Sequence, residues 1–268
     1  LGAGNRMPGI LPRLAQYEVT LTDWISDHRD GREFVALANK CWPAFQTQFG
    51  FVPCYVNSRF ASRGIPIACE VDIWGALSEY IASCITGDAV TILDINNTVP
   101  ADMYEDSIKG RYNYKEDDVF MGFHCGNTPV CKLCSPELKY QLIMHNSLEP
   151  DTEPDITRGT VEGAIVPGNI TLFRLQSTAD TVLRAYIAQG EVLPVAPDTF
   201  GSVGIFAIHE MGRFYRCELL EHNFPHHGAV AFSHCGKAVF EVFRYLGVEH
   251  IGYNRPAGDR YPTENPFN

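Results

Sequence analysis

Between Ile65 and Leu93 two short apolar runs, IPIAC and AVTIL, enclose the segment VDIWGALSEYIASCITG. In that segment Ile73, Leu77, Tyr80, Ile81 and Cys84 fall on one helical face, and Gly87 supplies a stop. Strand, helix and strand in this order predict a crossover unit, whose connection length favours parallel pairing with right-handed chirality. Parallel neighbours end at the same sheet edge, and that edge is where open α/β sheets bind ligands. Glu70 directly follows the first run and Asp94 directly follows the second, so both carboxylates are expected at adjoining strand ends.

Around this unit the pattern changes twice. Upstream, apolar residues from Gly31 to Phe49 recur at three- and four-residue steps and predict an amphipathic helix, with Pro43 as a kink or boundary, followed by a strand over FVPCYV (51–56). Downstream, residues 98–156 read as a loop-rich connection with short helices. From about Thr157 the runs GTVEGAIVPGNITLFRLQ, TVLRAYIAQGEVLPV and SVGIFAIHEM predict strands separated by Gly, Pro and Asp turns. A last amphipathic helix is expected over SHCGKAVFEVFRYLGV, closed by Gly247. The expected class is α/β plus β-rich: the end of a parallel α/β domain over 1–86, then a C-terminal α+β domain over 87–268 with an antiparallel sheet or small barrel.

Charge and cysteine content narrow the partners. A net charge of −11 repels phosphate backbones and argues against nucleic acid, leaving small neutral molecules or cations. No apolar run of about 18 or more residues and no signal-peptide pattern is visible, so no membrane partner is expected. Nine scattered cysteines suit the free thiols of a reducing compartment, and the chain is expected to be cytoplasmic.

Candidate chemistry gathers at the carboxylates and at the stretch LLEHNFPHHGAVAFSHCGKAVF, where His226 and His227 are adjacent on a loop expected to enter the last helix. Hard or borderline divalent ions favour oxygen and imidazole ligands, so Glu70, Asp94 and one of these histidines make a three-point site with open positions. The competing reading is that Glu70 and Asp94 cap helices or form surface ion pairs. Cys131 and Cys134, a single Cys-x-x-Cys pair in HCGNTPVCKLC, read as loop thiols more than as a zinc site, which usually brings two such pairs. His209, His222, His234 and His250 read as core histidines, and Trp24, Trp42 and Trp74 as core aromatics.

The segment ACEVDIWGAL, with LDINN placing Asp94 24 positions after Glu70, resembles the metal-binding region of the L-fucose isomerase family, ketol isomerases related to L-arabinose isomerases. HHGAVAFSHCGKAVFEVFRYLGV is similar to that family's late histidine loop and following helix, and GTVEGAIVPGNITLFRL to its C-terminal sheet segment. The resemblance implies the C-terminal portion of such an enzyme, with 1–86 as a remnant of a Rossmann-like domain. It implies Mn²⁺ or another divalent cation held by Glu70, Asp94 and His227, with Glu70 and Asp94 also shuttling the proton between neighbouring carbons of an aldose and its ketose. His226 would then hydrogen-bond the sugar. The loop GFHCGNTP makes His124 and Asn127 further candidates, and Trp74 lies close enough to Glu70 in the chain to line a sugar pocket. A homo-oligomer, trimer or hexamer, is also implied. Family members begin with an additional α/β domain, so two alternatives stand: a sugar-binding or assembly module of the same fold without chemistry, and an unrelated metal hydrolase.

Overall fold

The computed structural model describes residues 8–96, 98–140, 158–265 and 267. Its main feature is a nine-stranded sheet that combines β3 (Val90–Ile95), β4 (Val119–His124), β5 (Leu133–Tyr140), β6 (Arg158–Ile165), β7 (Gly168–Ser177), β8 (Leu183–Leu193), β9 (Ser202–Ala207), β10 (His227–Ala231) and β11 (His250–Tyr253). The order is β11-β8-β7-β10-β3-β4-β9-β6-β5, and a further pairing of β8 with β9 closes β7, β10, β3, β4, β9 and β8 into a ring. Every pairing around that ring is antiparallel. The β-rich half is therefore a small barrel, with β5 and β6 added at one side and β11 at the other.

Alternation along the strands builds two packing faces. Leu93, Ile95, Phe120, Leu172, Tyr186, Phe206 and Val230 are buried in one cluster with residues from all six barrel strands, the barrel interior. Val90, Phe173, Leu175, Ala185, Ala229 and Ala231 form the opposite face, which is covered by α4 (Ile73–Thr86) and α7 (Gly236–Tyr245) through Ile81, Ala82, Val239 and Phe243. Gly75 is what lets the start of α4 settle so closely: a Cβ there would come within 2.3 Å of Ile92 Cδ1. Gly87 ends α4 in the left-handed region, φ +61°, as its position in the sequence suggests.

The remaining elements are α1 (Leu11–His28), β1 (Leu37–Ala38), α2 (Ala44–Phe49), α3 (Cys54–Ala61), β2 (Ile67–Ala68), the short α5 (Ala101–Met103) and α6 (Met211–Phe214). Both α5 and α6 run directly into π-helical turns, Tyr104–Ile108 and Tyr215–Leu220. Leu14, Ile25, Phe51, Val56, Phe60 and Ile67 pack together with Leu138 of β5 beneath α1 and α3.

Three expectations are corrected. β2 and β3 are not parallel neighbours: among the described residues β2 pairs with β1 alone, in a separate two-stranded parallel sheet, while β3 lies inside the antiparallel ring. The helix α4 connects the two sheets by packing Ala76, Ile81 and Ala82 on the outside of the barrel, whereas Ile73, Leu77, Tyr80 and Cys84, placed with Ile81 on one face in the sequence, are exposed. The expected helix over 31–49 is divided into β1, a cis Trp42–Pro43 bond and α2, and the expected strand over 51–56 becomes the helix α3, which opens after Pro53. A proline fixes φ and lacks an N–H, so it suits a helix start better than a strand interior. Residues 98–140 hold β4 and β5 as well as loops, and residues 141–157 lie outside the described residues.

Candidate functional site

β10 and β3 are paired so that His227 stands directly across from Asp94. Both side chains leave the outer face of the barrel at its rim, in register with Ala229 and Ile92 respectively, beneath the first turn of α4. His227 is thus the first residue of a strand, and not part of a loop entering the last helix. Its Nε2 lies 3.1 Å from Asp94 Oδ1 and 4.0 Å from Glu70 Oε2. His226, exposed beside it, brings its Nε2 to 3.3 Å from the same Asp94 oxygen.

Glu70 reaches this point by a strained turn. After β2, Glu70 and Val71 both adopt left-handed backbone, φ +60° and +58°, a costly conformation for a β-branched valine. Val71 N–H donates to Asn39 O and Asp72 N–H to Cys69 O, which hold the turn. The Glu70 side chain is 61% exposed, so it remains open to a small molecule. One ligand-competent atom from each of Glu70, His226 and His227 lies within 4.8 Å of the others.

Behind His227 stands a pair the sequence analysis did not single out. Asp72 caps α4 by accepting from Gly75 N–H at 2.8 Å, and its Oδ2 meets His227 Nδ1 at 2.9 Å. Arg174 donates to both Asp72 oxygens at 2.7 Å and to His227 O at 3.2 Å. An oriented imidazole whose second nitrogen is held by a carboxylate is the usual support of a metal-binding histidine. With Nδ1 engaged, Nε2 is left facing Asp94 and Glu70. Arg174 carried a signal in the sequence: a lone arginine inside the apolar run ITLFRL is seldom buried without a partner.

Charges reinforce the arrangement. Burial opposes a charged His227, but hydrogen bonds to Asp72 and Asp94 and their negative charges push its pKa up to about 9. Burial likewise disfavours ionised Asp72, yet His227 and Arg174 hold its carboxyl well below the usual range. Asp94 is lowered too, with burial outweighed by the His227 hydrogen bond and the charges of His124 and the paired histidines. Glu79, one α4 face further in, is buried without a hydrogen-bond partner for Oε2, and burial pushes its pKa up to about 8.

The other sequence candidates fall around this centre. His124 ends β4, fully buried; burial opposes its charge, while Cys125 and Asp94 raise its pKa. Asn127 is buried and donates from Nδ2 to Ile67 O at 2.6 Å, tying down β2 just ahead of the Glu70 turn. Trp74 is half-buried on α4 against the cluster beneath α4 and α7. Trp24 and Trp42, expected in the core, are exposed, as are His209 and His234. Cys131 and Cys134 are exposed free thiols, whereas two other sets of free thiols lie within hydrogen-bond reach, buried Cys41 with buried Cys69 and buried Cys54 with half-buried Cys125.

Comparison with known proteins bears on this geometry. The family model described as L-fucose isomerase, C-terminal domain, matches residues 122–253. This part of the chain belongs to the L-fucose isomerase family. The matched region holds Arg174, His226 and His227. Among curated relatives, a sulfoquinovose isomerase of Alkalicoccus urumqiensis is 25% identical over 246 residues, covering 91% of this chain and 49% of the relative. A sulfoquinovose isomerase of Priestia aryabhattai is 26% identical over 247 residues, covering 91% and 49%. One of Clostridium sp. (strain MSTE9) is 27% identical over 164 residues, covering 59% and 30%. The chain thus spans about half the length of the first two.

Proposed function

We propose that this chain carries the metal-binding and proton-transfer centre of an aldose–ketose isomerase. The observation that supports the reading best is the convergence of Glu70, Asp94 and the His226–His227 pair at the barrel rim, with His227 oriented by Asp72 and Arg174. The donor set, carboxylate oxygens and a buttressed imidazole, fits a divalent cation such as Mn²⁺, held by Glu70, Asp94 and His227 with His226 adjacent. When bound, such an ion supplies positive charge where the two sugar oxygens gain negative charge.

The chain's own groups account for the proton movements. A carboxylate of Glu70 or Asp94 takes the proton from C2 of an open-chain aldose while O1 gains a proton, giving an enediol. Loss of the O2 proton and delivery of a proton to C1 then give the ketose. Two carboxylates at the rim serve the two carbons. His226, exposed and beside Asp94, is placed to hydrogen-bond a sugar hydroxyl. Asn127 acts one step back, through Ile67, on the turn that presents Glu70.

The substrate is an aldose of the kind the relatives' names indicate, with L-fucose, D-arabinose and sulfoquinovose as the compounds to try. A homo-oligomer, trimer or hexamer, belongs to the same reading. So does a cytoplasmic location, in keeping with the free thiols and with the lack, among the described residues, of a helix long and apolar enough to cross a membrane. Incubating the full chain with Mn²⁺ and each aldose, and following ketose formation, tests the proposal. Turnover lost in both Glu70→Gln and Asp94→Asn supports it. Sugar binding without turnover of any aldose favours the binding-module alternative.

A further inference from the structure

A second group of side chains lies apart from the barrel rim. Glu218 sits in the π-helical turn Tyr215–Leu220, His222 follows one helical turn later, and His250 is the first residue of the edge strand β11. Glu218 Oε2 is 2.8 Å from His250 Nε2 and 3.6 Å from His222 Nε2, and the two imidazole centroids are 4.0 Å apart. One ligand-competent atom from each of the three lies within 4.8 Å of the others.

The carboxylate is the informative member. The Glu218 side chain is only 4% exposed, and among the described residues no lysine or arginine pairs with it. Arg184, paired with His250 across the two strands, is engaged instead by Asp180 and Thr178. An ionised carboxylate buried without a fixed cation is costly, so such groups are normally paired or bound to a metal.

The backbone makes room for this carboxylate on purpose. Gly252 packs against it so closely that a Cβ would lie 2.3 Å from Glu218 Oε2. A π-helical turn, which widens the helix by one residue, is often found at functional sites. Asn223, in left-handed backbone at φ +56°, then turns the chain toward the loop that delivers His226 and His227.

We propose that Glu218, His222 and His250 form a second site for a borderline divalent transition ion of the Zn²⁺ class, with solvent in the fourth position. Tetrahedral zinc with bonds of about 2.0–2.1 Å separates its ligand atoms by about 3.3–3.4 Å, so the 2.8 and 3.6 Å pairs need only small shifts. Binding takes the place of any proton on the His250 and His222 Nε2 atoms, which each ring can instead carry on Nδ1. The ion fastens β11 to the helical segment that leads into the His226–His227 loop. The proposal is independent of the isomerase reading.

The test is metal stoichiometry of the full chain, stripped with a chelator and titrated with Co²⁺ and Zn²⁺ by visible absorption and calorimetry. One ion is expected at this site, giving the intense visible bands of four-coordinate Co²⁺, whether or not a second is held at the barrel rim. In Glu218→Gln and His250→Gln that ion should bind roughly 100-fold more weakly or worse, given that even outer-shell changes cost 10–100-fold. Glu70→Gln should leave it in place. Because Glu218 is buried, the partly exposed His222→Gln serves as the second variant, with circular dichroism to confirm that it is folded. Wild-type stoichiometry and affinity in a folded His222→Gln, or a single ion that disappears with Glu70→Gln, would overturn the proposal.

Discussion

Replacing Asp72 by asparagine removes one charge from the line Arg174–Asp72–His227 while nearly keeping its shape. The amide oxygen can still accept from Gly75 N–H, so the α4 cap survives. Arg174, 4% exposed and bonded to Asp72 by two contacts of 2.7 Å, loses its counter-charge. Breaking a buried pair from one side costs about 3–5 kcal/mol, which should appear as a lower denaturation midpoint. His227 also loses the partner that fixes its Nδ1, and metal affinity should fall about 10–100-fold, equal to about 1.4–2.7 kcal/mol. The same substitution brings the His227 pKa down from about 9, which eases proton competition near neutrality. The affinity loss should therefore be largest at the alkaline end of a pH 7–9 series. Denaturation, Mn²⁺ calorimetry and an NMR titration of the imidazole read the three effects separately. Wild-type stability and Mn²⁺ affinity at every pH, with an unmoved imidazole titration, would refute the reasoning. Arg174→Met combined with Asp72→Leu should be milder for stability than either single change, since it leaves no lone charge.

Other outcomes follow from the same contacts. In wild type, Mn²⁺ affinity should rise up to about 10-fold per pH unit from pH 7 to 9, as the proton leaves His227 Nε2. In the metal-free protein the raised His227 pKa gives stability that is full below about 6.5 and lost as pH climbs through about 9; denaturation across that window checks it. Glu79 has a raised folded pKa of about 8, so its contribution is full below about 4.5 and declines by about 2–3 kcal/mol between pH 5 and 7. Glu79→Gln should accordingly gain stability over wild type at pH 7–8 and match it near pH 5, in melting curves. Gly75→Ala should lower stability by about 1–3 kcal/mol, because its Cβ meets Ile92 Cδ1 at 2.3 Å, against a helix-propensity gain of about 1 kcal/mol.

The sequence was most legible where one period ran undisturbed. Such runs revealed α4 and its Gly87 stop, the long strands β7 and β8 and the last helix as elements, but not which face α4 buries: Ile73, Leu77, Tyr80 and Cys84 are exposed, and the helix packs through Ala76, Ile81 and Ala82. The short elements were not legible: FVPCYV is too brief for periodicity to separate strand from helix, and Pro53 decided it. Gly122 obscured β4, since the strand's missing side chain is replaced by the ring of Phe206 from the neighbouring strand β9. Glu70 and Asp94 were noticed for a pairing the chain does not make. Each instead approaches His227, Asp94 from the strand paired with it and Glu70 from the left-handed turn at Glu70–Val71. Asp72 and Arg174 meet across 102 residues, and only the oddity of an arginine in an apolar strand hinted at the contact.

The central claim is that Glu70 and Asp94 move a proton between neighbouring sugar carbons. Isomerisation in D₂O by the full chain with Mn²⁺, followed by NMR of the product from whichever aldose is turned over, tests it most directly. A proton resting on a carboxylate can exchange with water before it is returned, whereas a hydride passed between carbons cannot. The account predicts deuterium on the carbon that receives the transferred hydrogen. Turnover that leaves that carbon fully protiated would contradict it.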